Sequence, residues 1–230
     1  MSQELLDEGV ALVEAAAADD LMLRLLGGAA IMLHSGVNSY RQLGDLDAVV
    51  RQEDARAIGA TLRGRGYEPE SRFNALHGDR RQIFHGPKGK LDVFVEVFEM
   101  CHRIALGRRL LLDSPTLTVS DLLLTKLQVV ELNAKDAEDA AVLLRAHEFG
   151  HGEGDRVNLD YVTALAADDW GLWRTLTGTL ERLEQLQPDV APKVRGLRHE
   201  LDEAPKTRRF RLRARVGERK RWYELPDEVG

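Results

Sequence analysis

The chain has 230 residues, of which 43% are hydrophobic and 30% charged, with a formal net charge of −6. A chain of this size buries one sizeable core, or two small ones, without disulfides or structural metals. Its single cysteine, Cys101, excludes an intrachain disulfide and indicates a reducing compartment. The first residues are too acidic for a secretory signal, and no apolar run is long enough to span a bilayer. We therefore expect a cytoplasmic protein without a membrane partner.

Helices and strands alternate in the first half of the chain. Apolar residues at helical spacing predict helices over 4–18, 29–34 and 53–65. Stretches rich in apolar and β-branched residues predict five strands, over 21–26, 46–50, 67–73, 81–85 and 90–98. Because the strands are largely confined to this half, the pattern predicts an α+β fold, a mixed sheet with flanking helices.

The character of the chain changes after Ser114-Pro115. Helical patterns then dominate, over 121–132, 135–148, 158–167, 170–186 and 189–203. We therefore predict three segments: an α/β domain at 1–115, a helical domain at 116–205 and a basic C-terminal segment at 206–230.

Three aspartates lie on the predicted strands. Asp45 and Asp47 are two residues apart, so both carboxylates project from the same face, and Asp92 lies on the strand over 90–98. Clustered carboxylates need a cation, and Mg²⁺ prefers a few carboxylates together with substrate phosphates. The alternative is that Asp45 caps its loop and Asp92 faces water from an edge strand.

The order of the segments around these acids resembles the polymerase-β-like nucleotidyltransferase superfamily. The run LLGGAAIMLH spans 25–34, DLDAVV spans 45–50 and LDVF spans 91–94. The resemblance implies that Gly27 and Gly28 open a helix whose N-terminus receives the triphosphate. It also implies that the three aspartates hold two Mg²⁺ or Mn²⁺ ions. The activity would move a nucleoside monophosphate from an NTP to an RNA end, a protein hydroxyl or a small molecule.

A second pattern resembles the abortive-infection-type toxin nucleotidyltransferases. It consists of SDLLLTKL at 120–127, followed by KDAED at 135–139. The resemblance implies that Lys126 contacts the nucleotide phosphates, that Asp136 supports the site, and that an antitoxin-like partner exists. The residues alone also allow an alternative. Lys126 would extend along the surface of its helix to reach water, and Asp136 would interact with the positive end of the helix dipole from the first turn.

The chain departs from this family in the loop before Asp45. Relatives commonly carry Arg-x-Thr-x there, whereas this chain has Arg-Gln-Leu-Gly at 41–44. We therefore count Arg41 among the nucleotide-binding residues and expect Ser39 or Ser35 to supply the missing hydroxyl. A non-catalytic nucleotide- or RNA-binding relative of the same fold is the alternative function.

The run HEFGH at 147–151 matches the zinc-metalloprotease pattern HExxH. A zinc protease needs both histidines on one continuous helix. Three closely spaced glycines, at positions 150, 152 and 154, predict instead that the helix ends near His147. A protease is therefore a remote alternative.

Basic residues are concentrated towards the C-terminus, with twelve Lys or Arg and four Asp or Glu between residues 193 and 221. The strict alternation of RFRLRARV over 209–216 predicts a strand with arginines on one face, and residues 217–225 could complete a hairpin. Such a surface suits the backbone of RNA, with Trp222 or Tyr223 available for stacking. The alternative is a solvated face that pairs with the acidic remainder or with a partner subunit.

Overall fold

The computed structural model describes residues 2–37 and 41–225. The chain divides into two compact units. The first comprises residues 1–98 and 104–118, and the second comprises 99–103 and 119–230.

A five-stranded mixed sheet forms the centre of the first unit. Its helices are α1 (Ser2–Ala18), α2 (Gly27–Ser35), α3 (Ile58–Gly64) and α4 (Ser71–His77), with a 3-10 helix at Gly107–Leu111. Its strands are β1 (Leu23–Leu26), β2 (Asp45–Val50), β3 (Glu68–Pro69), β4 (Arg81–Gly86) and β5 (Gly89–Val95). The order is β1-β2-β5-β4-β3, with β2 and β5 parallel and the other neighbours antiparallel.

The two faces of this sheet differ in polarity. On one face Leu46, Leu91 and Val93 are fully buried, and Gly9 of α1 lies close against the side chains of Leu25 and Leu46. Because successive strand residues alternate between faces, Asp45 and Asp47 lie on the other face. The hydrophobic core under α1 thus leaves the opposite face free to carry charged side chains.

The second unit is mainly helical. Two short strands, β6 (Val97–Glu99) and β7 (Arg103–Ala105), lie where the chain crosses between the units. The helices are α5 (Val119–Leu127), α6 (Ala134–Ala146), α7 (Leu159–Asp168), α8 (Trp170–Leu186), α9 (Ala191–Glu203) and α10 (Arg208–Val216). The strands β8 (Phe149–Gly150) and β9 (Val157–Asn158) pair in parallel. None of the helices in the described part of the chain has the length and apolar character that crossing a bilayer requires.

Polar caps explain where several of these helices begin. Asn133, Asn158, Asp169 and Thr207 each accept a hydrogen bond from a backbone N–H in the first turn of the following helix. Each side chain satisfies a donor that the helix itself cannot satisfy. The predicted α+β class, a mixed sheet with flanking helices followed by a helical region, is confirmed.

The predicted C-terminal hairpin is wrong, because residues 208–216 form the helix α10. Thr207 caps this helix by accepting a hydrogen bond from the backbone N–H of Phe210. Phe210 is buried at 7% exposure, whereas Leu212 and Val216 are exposed at 51% and 41%. The alternating pattern predicted one apolar strand face, but the chain buries a single aromatic anchor and leaves Leu212 and Val216 exposed.

Two predicted strands are shorter than expected. The stretch over 67–73 contains only the two residues of β3, after which α4 begins at Ser71. The stretch over 90–98 is interrupted at Glu96, whose φ of 58° breaks the extended backbone between β5 and β6. A left-handed backbone conformation at a non-glycine residue cannot be read from strand propensity.

Candidate active site

Three predicted carboxylates lie on one face of the sheet in the first unit. Asp45 and Asp47 are both on β2, and the parallel pairing of β2 with β5 places Asp47 in register with Asp92. Asp45 and Asp47 are partly exposed, whereas Asp92 is 2% exposed. Side chains at paired positions of neighbouring strands project to the same side. The fold therefore groups these three acids at the polar face of the sheet.

The Gly27-Gly28 turn lies directly beside Asp47. Gly27 has a φ of 65°, and a Cβ atom built there would overlap the Asp47 carboxylate. The preceding Leu26 is extended and provides no side-chain cap for α2. The first N–H groups of α2 therefore have no partner within the helix, and such groups favour an anion. The turn brings an anion-binding helix end next to a carboxylate, which suits a phosphate bound through a metal ion.

Arg41 reaches the same helix end. A Cβ atom at Gly28 would overlap the Arg41 guanidinium, so the glycine makes room for the arginine. Ser39 lies outside the described residues. Ser35 is at the opposite end of α2, where its hydroxyl donates to the carbonyl of Met32 at 3.4 Å and accepts the N–H of Val37 at 3.2 Å. Among these predicted residues, the structure brings Arg41 to the glycine turn and places Ser35 away from it.

The buried carboxylate of Asp92 is held by two cations that sequence reasoning did not identify. Its Oδ1 lies 2.9 Å from Nη2 of Arg81, whose Nε donates to the same oxygen at 3.2 Å. Its Oδ2 lies 2.8 Å from Nζ of Lys90. Lys90 precedes Asp92 by two residues on β5 and so projects from the same face. The position of Arg81 depends on the register between β4 and β5, which the sequence does not reveal.

The carboxylate donors of this site suit a hard divalent cation. Carboxylate oxygens are the protein ligands that Mg²⁺ prefers. Asp45 is partly exposed and has no ion-pair partner within the described ranges, so its oxygens are available to a ligand. Asp47 is its neighbour on the same strand face and lies beside the glycine turn. The residues on β2 therefore fit a Mg²⁺ or Mn²⁺ ion, whereas both oxygens of Asp92 already contact cations.

The two glycines of the turn are expected to respond differently to alanine. Gly27→Ala should lower the free energy of unfolding by about 1–3 kcal/mol, because it forces a left-handed backbone and a clash with Asp47. Gly28→Ala should change stability by less than about 0.5 kcal/mol, because the overlapping side-chain ends of Arg41 and Leu43 can move aside. Its effect should appear instead as weaker nucleotide binding.

Urea denaturation followed by circular dichroism, together with equilibrium NTP binding, separates these two effects. An equal loss of stability in both variants would contradict this expectation. It would show that the left-handed backbone at Gly27 costs no more than moving the side chains beside Gly28.

Lys126 and Asp136 belong to the second unit and contact each other. Nζ of Lys126 lies 2.9 Å from Asp136 and 2.9 Å from Asp139, which is fully buried. Burial by itself would lower the pKa of Lys126, but the charges of Asp139 and Asp136 outweigh burial, and the pKa is raised. Asp139 follows Asp136 by three residues on α6, a spacing that places both on one side of the helix. Lys126 is thus a charged clamp between α5 and α6, and its contact with nucleotide phosphates stays a prediction.

The zinc-protease alternative is wrong because HEFGH does not lie on a helix. The helix α6 ends at Ala146, and His147 adopts an extended conformation with φ −123° and ψ 144°. His151 is exposed and its Nδ1 lies 2.8 Å from Asp160. Glu148 forms an ion pair with Lys193 at 2.7 Å. The geometry that would let two histidines share a zinc ion and the glutamate act as a base is therefore absent from these residues.

A cavity of about 1500 Å³ lies within the second unit. Its lining includes four aromatic side chains and one side of α10, namely Tyr161, Trp170, Trp222, Tyr223, Arg208, Leu212 and Val216. The backbone carbonyl of Cys101 accepts the N–H of Glu224 at 3.1 Å, and Nε1 of Trp222 donates to Thr175 at 3.2 Å. The C-terminal residues therefore form part of a folded wall. This cavity is the place where the basic segment and the aromatic residues predicted for RNA binding come together.

Guanidinium groups cover the aromatic rings of this cavity. Arg213 lies 4.7 Å from the ring centre of Trp170, and Arg221 lies 4.9 Å from that of Tyr223. His102 also lines the cavity and lies 2.8 Å from the hydroxyl of Thr175. Burial lowers the pKa of His102, against the opposing charges of Asp169 and Glu224. The cavity thus carries guanidinium groups on aromatic supports, together with four carboxylates and a histidine that favours its neutral form.

Three solved structures are similar to this chain over most of its length. The solution structure of the antibiotic-resistance factor ANT(2'')-Ia is 15% identical, with a TM-score of 0.46, over 86% of this chain and 97% of that one. An antigenic nucleotidyltransferase-like protein from Paracoccidioides brasiliensis is also 15% identical, with a TM-score of 0.48, over 89% and 95%. ANT(2'')-Ia in complex with adenylyl-2''-tobramycin is 15% identical, with a TM-score of 0.45, over 84% and 99%.

No curated protein sequence matches this chain. A family model described as an uncharacterised nucleotidyltransferase matches residues 2–187, which include all three aspartates and the glycine turn. This match spans well over half of the chain and confirms the predicted nucleotidyltransferase superfamily. The chain therefore belongs to the family described as uncharacterised nucleotidyltransferases.

Proposed function

We propose that this chain transfers a nucleoside monophosphate from an NTP to an acceptor hydroxyl, using the predicted domain at 1–115. The observation that carries the proposal is the arrangement at the polar face of the sheet. Asp47 is in register with Asp92 and lies against Gly27, at the N-terminus of α2. A carboxylate pair beside an anion-binding helix end matches the needs of a metal-bound triphosphate.

The reaction requires positioning and charge stabilisation more than covalent help from the protein. The acceptor oxygen forms a bond to the α-phosphorus, the bond from that phosphorus to the β-phosphate oxygen breaks, and pyrophosphate leaves. The hydroxyl proton passes to a carboxylate of the cluster. Arg41 and the N–H groups of α2 hold the triphosphate, and the helix dipole offsets part of its negative charge.

Asp45 and Asp47 are the residues that would hold a Mg²⁺ or Mn²⁺ ion. When bound, such an ion stabilises negative charge on the reacting phosphate and on the leaving pyrophosphate. Asp92 completes the acidic cluster from the neighbouring strand. Gly27 keeps the approach to Asp47 open, because any side chain there would occupy the space beside the carboxylate.

Label transfer from each NTP tests this function. The full-length chain is incubated with Mg²⁺ and each of the four NTPs labelled at the α-phosphate, with and without bulk tRNA. We expect label to appear in the RNA or in another acceptor. No label should be transferred when EDTA is present in the reaction. A non-catalytic relative would bind an NTP without producing labelled acceptor, and this outcome would contradict the proposal.

We further propose RNA as the partner of the basic C-terminal segment. Residues 206–221 contain nine Lys or Arg and one acidic residue. Arg208, Arg211 and Arg215 are exposed, and no carboxylate of the described residues pairs with them. Exposed arginines along one helix suit a polyanion such as RNA, since each guanidinium can contact a backbone phosphate. The antitoxin-like partner stays a prediction.

Fluorescence anisotropy with a labelled 15-nucleotide RNA tests this partner. Replacing Arg208, Arg211 and Arg215 with Gln should lower the slope of log affinity against log salt by about 2 in magnitude, since each phosphate contact contributes about 0.7. The matched control replaces Arg56, Arg63 and Arg72, which are also exposed but belong to the first unit.

The control variant should bind the RNA with an unchanged slope. Equal slopes in both triple variants would overturn the RNA proposal. Preferential binding of polyglutamate over RNA would indicate an acidic protein partner instead.

A further inference from the structure

The surroundings of Asp92 bear on how many metal ions the acidic cluster can hold. Three carboxylates lie on this face together with Lys90 and Arg81. Asp92 has a side chain that is only 4% exposed, and the two cations contact both of its oxygens. A buried carboxylate is costly unless charge and hydrogen bonds compensate it. Here the protein itself supplies both.

The position of these cations is set by several contacts. The guanidinium of Arg81 lies 5.3 Å from the ring centre of Phe94 and 6.0 Å from that of Phe73. Lys90 is in register with Asp45 across the parallel pair and with His85 across the antiparallel pair. Arg81 is thus supported by two rings, and Lys90 stands in the row of side chains between β2 and β4. Both cations are built into the sheet.

We propose that Lys90 and Arg81 take the place of one metal ion, so that the cluster binds a single divalent ion through Asp45 and Asp47. This inference rests on the proposed transfer function. Mg²⁺ is commonly held by one or two carboxylates plus substrate phosphates, so Asp45 and Asp47 are sufficient for one ion. Lys90 and Arg81 are then positioning residues that fix Asp92.

Counting bound Mn²⁺ by electron paramagnetic resonance tests this inference without relying on activity. The full-length chain is titrated with Mn²⁺ in the absence of nucleotide. The wild type should saturate at one ion. Asp47→Asn should weaken this binding at least about 10-fold, whereas Asp92→Asn should retain one ion. Two ions in the wild type, falling to one in Asp92→Asn, would overturn the inference while leaving the transfer function standing.

Replacing Lys90 with Met tests the inference in the other direction, because it should increase the number of bound Mn²⁺ ions. Loss of the Lys90 ammonium group frees Oδ2 of Asp92. We expect this to add a second, weaker Mn²⁺ site, because a carboxylate oxygen becomes available beside Asp45 and Asp47. Lys88→Met is the matched control, since Lys88 is exposed and does not contact Asp92. Circular dichroism confirms that each variant is folded. A single ion in both lysine variants would contradict the inference, and a wild type that binds no Mn²⁺ would overturn the metal site and the transfer function together.

Discussion

Replacing Asp47 with Asn is expected to lower the rate of label transfer by at least about 10²-fold. Asp47 is partly exposed and lies against Gly27, where a bound triphosphate would meet its ion. Asparagine keeps the shape of the side chain but removes the charge that holds the cation. Losing one preorganised group that stabilises a transition state commonly costs about 10²–10³-fold in turnover.

The kinetic signature separates this role from a structural one. The loss should fall on kcat as well as on KM, because the ion acts on the charge that develops during the reaction. Asp79→Asn is the matched control, since Asp79 is exposed in the first unit and outside the acidic cluster. Its transfer rate should equal that of the wild type. Unchanged transfer in Asp47→Asn would show that the mechanism is wrong.

The acidic cluster was predictable because two short-range rules combine. The period of two along a strand places Asp45 and Asp47 on one face, and the glycine run before them predicts a turn into a helix. The family resemblance then added Asp92. The parallel register that pairs Asp47 with Asp92 confirms that these residues are neighbours in the fold.

The cations around Asp92 were harder to predict because they depend on long-range pairing. Lys90 shares a strand with Asp92, but a lysine two residues before an acid is common and carries little information. Arg81 reaches Asp92 only because β4 pairs antiparallel with β5 in a particular register. A sequence pattern does not determine which strands become neighbours, since that choice depends on the topology of the whole sheet.

The C-terminal segment illustrates a different limit. An alternating pattern of arginine and apolar residues fits a strand, but a single apolar residue can anchor an amphipathic helix equally well. Thr207 caps α10 and Phe210 packs in T-shaped contact with Trp173 at 5.6 Å. These tertiary contacts outweigh the local preference for alternation. The basic charge was readable from the sequence, whereas its presentation on a helix was not.

Removing the cation of the α5–α6 clamp is expected to cause the largest loss of stability. Lys126→Met should lower the free energy of unfolding by about 3–5 kcal/mol, because it leaves the fully buried Asp139 without its cation. For a chain of this size, that loss corresponds to a melting temperature roughly 6–20 °C lower. The double change Lys126→Met with Asp139→Leu should be less destabilising than Lys126→Met alone. Removing both charges avoids burying the carboxylate of Asp139 without the charge of Lys126, which is the main cost of the single change.

The pH dependence of this loss distinguishes the clamp from other effects. The pKa of Lys126 is raised in the folded chain, so its stabilisation is complete below the ordinary lysine value of 10.5 and is lost only as pH rises through the higher folded value. Thermal melts should therefore show the destabilisation by Lys126→Met at every pH from about 6 to 9, since wild-type Lys126 stays charged throughout this range. Lys135→Met, at an exposed neighbouring position, should change stability by less than about 0.5 kcal/mol. A Lys126→Met variant as stable as the wild type in this range would contradict the clamp, and a double variant as unstable as the single one would contradict the buried ion pair as its cause.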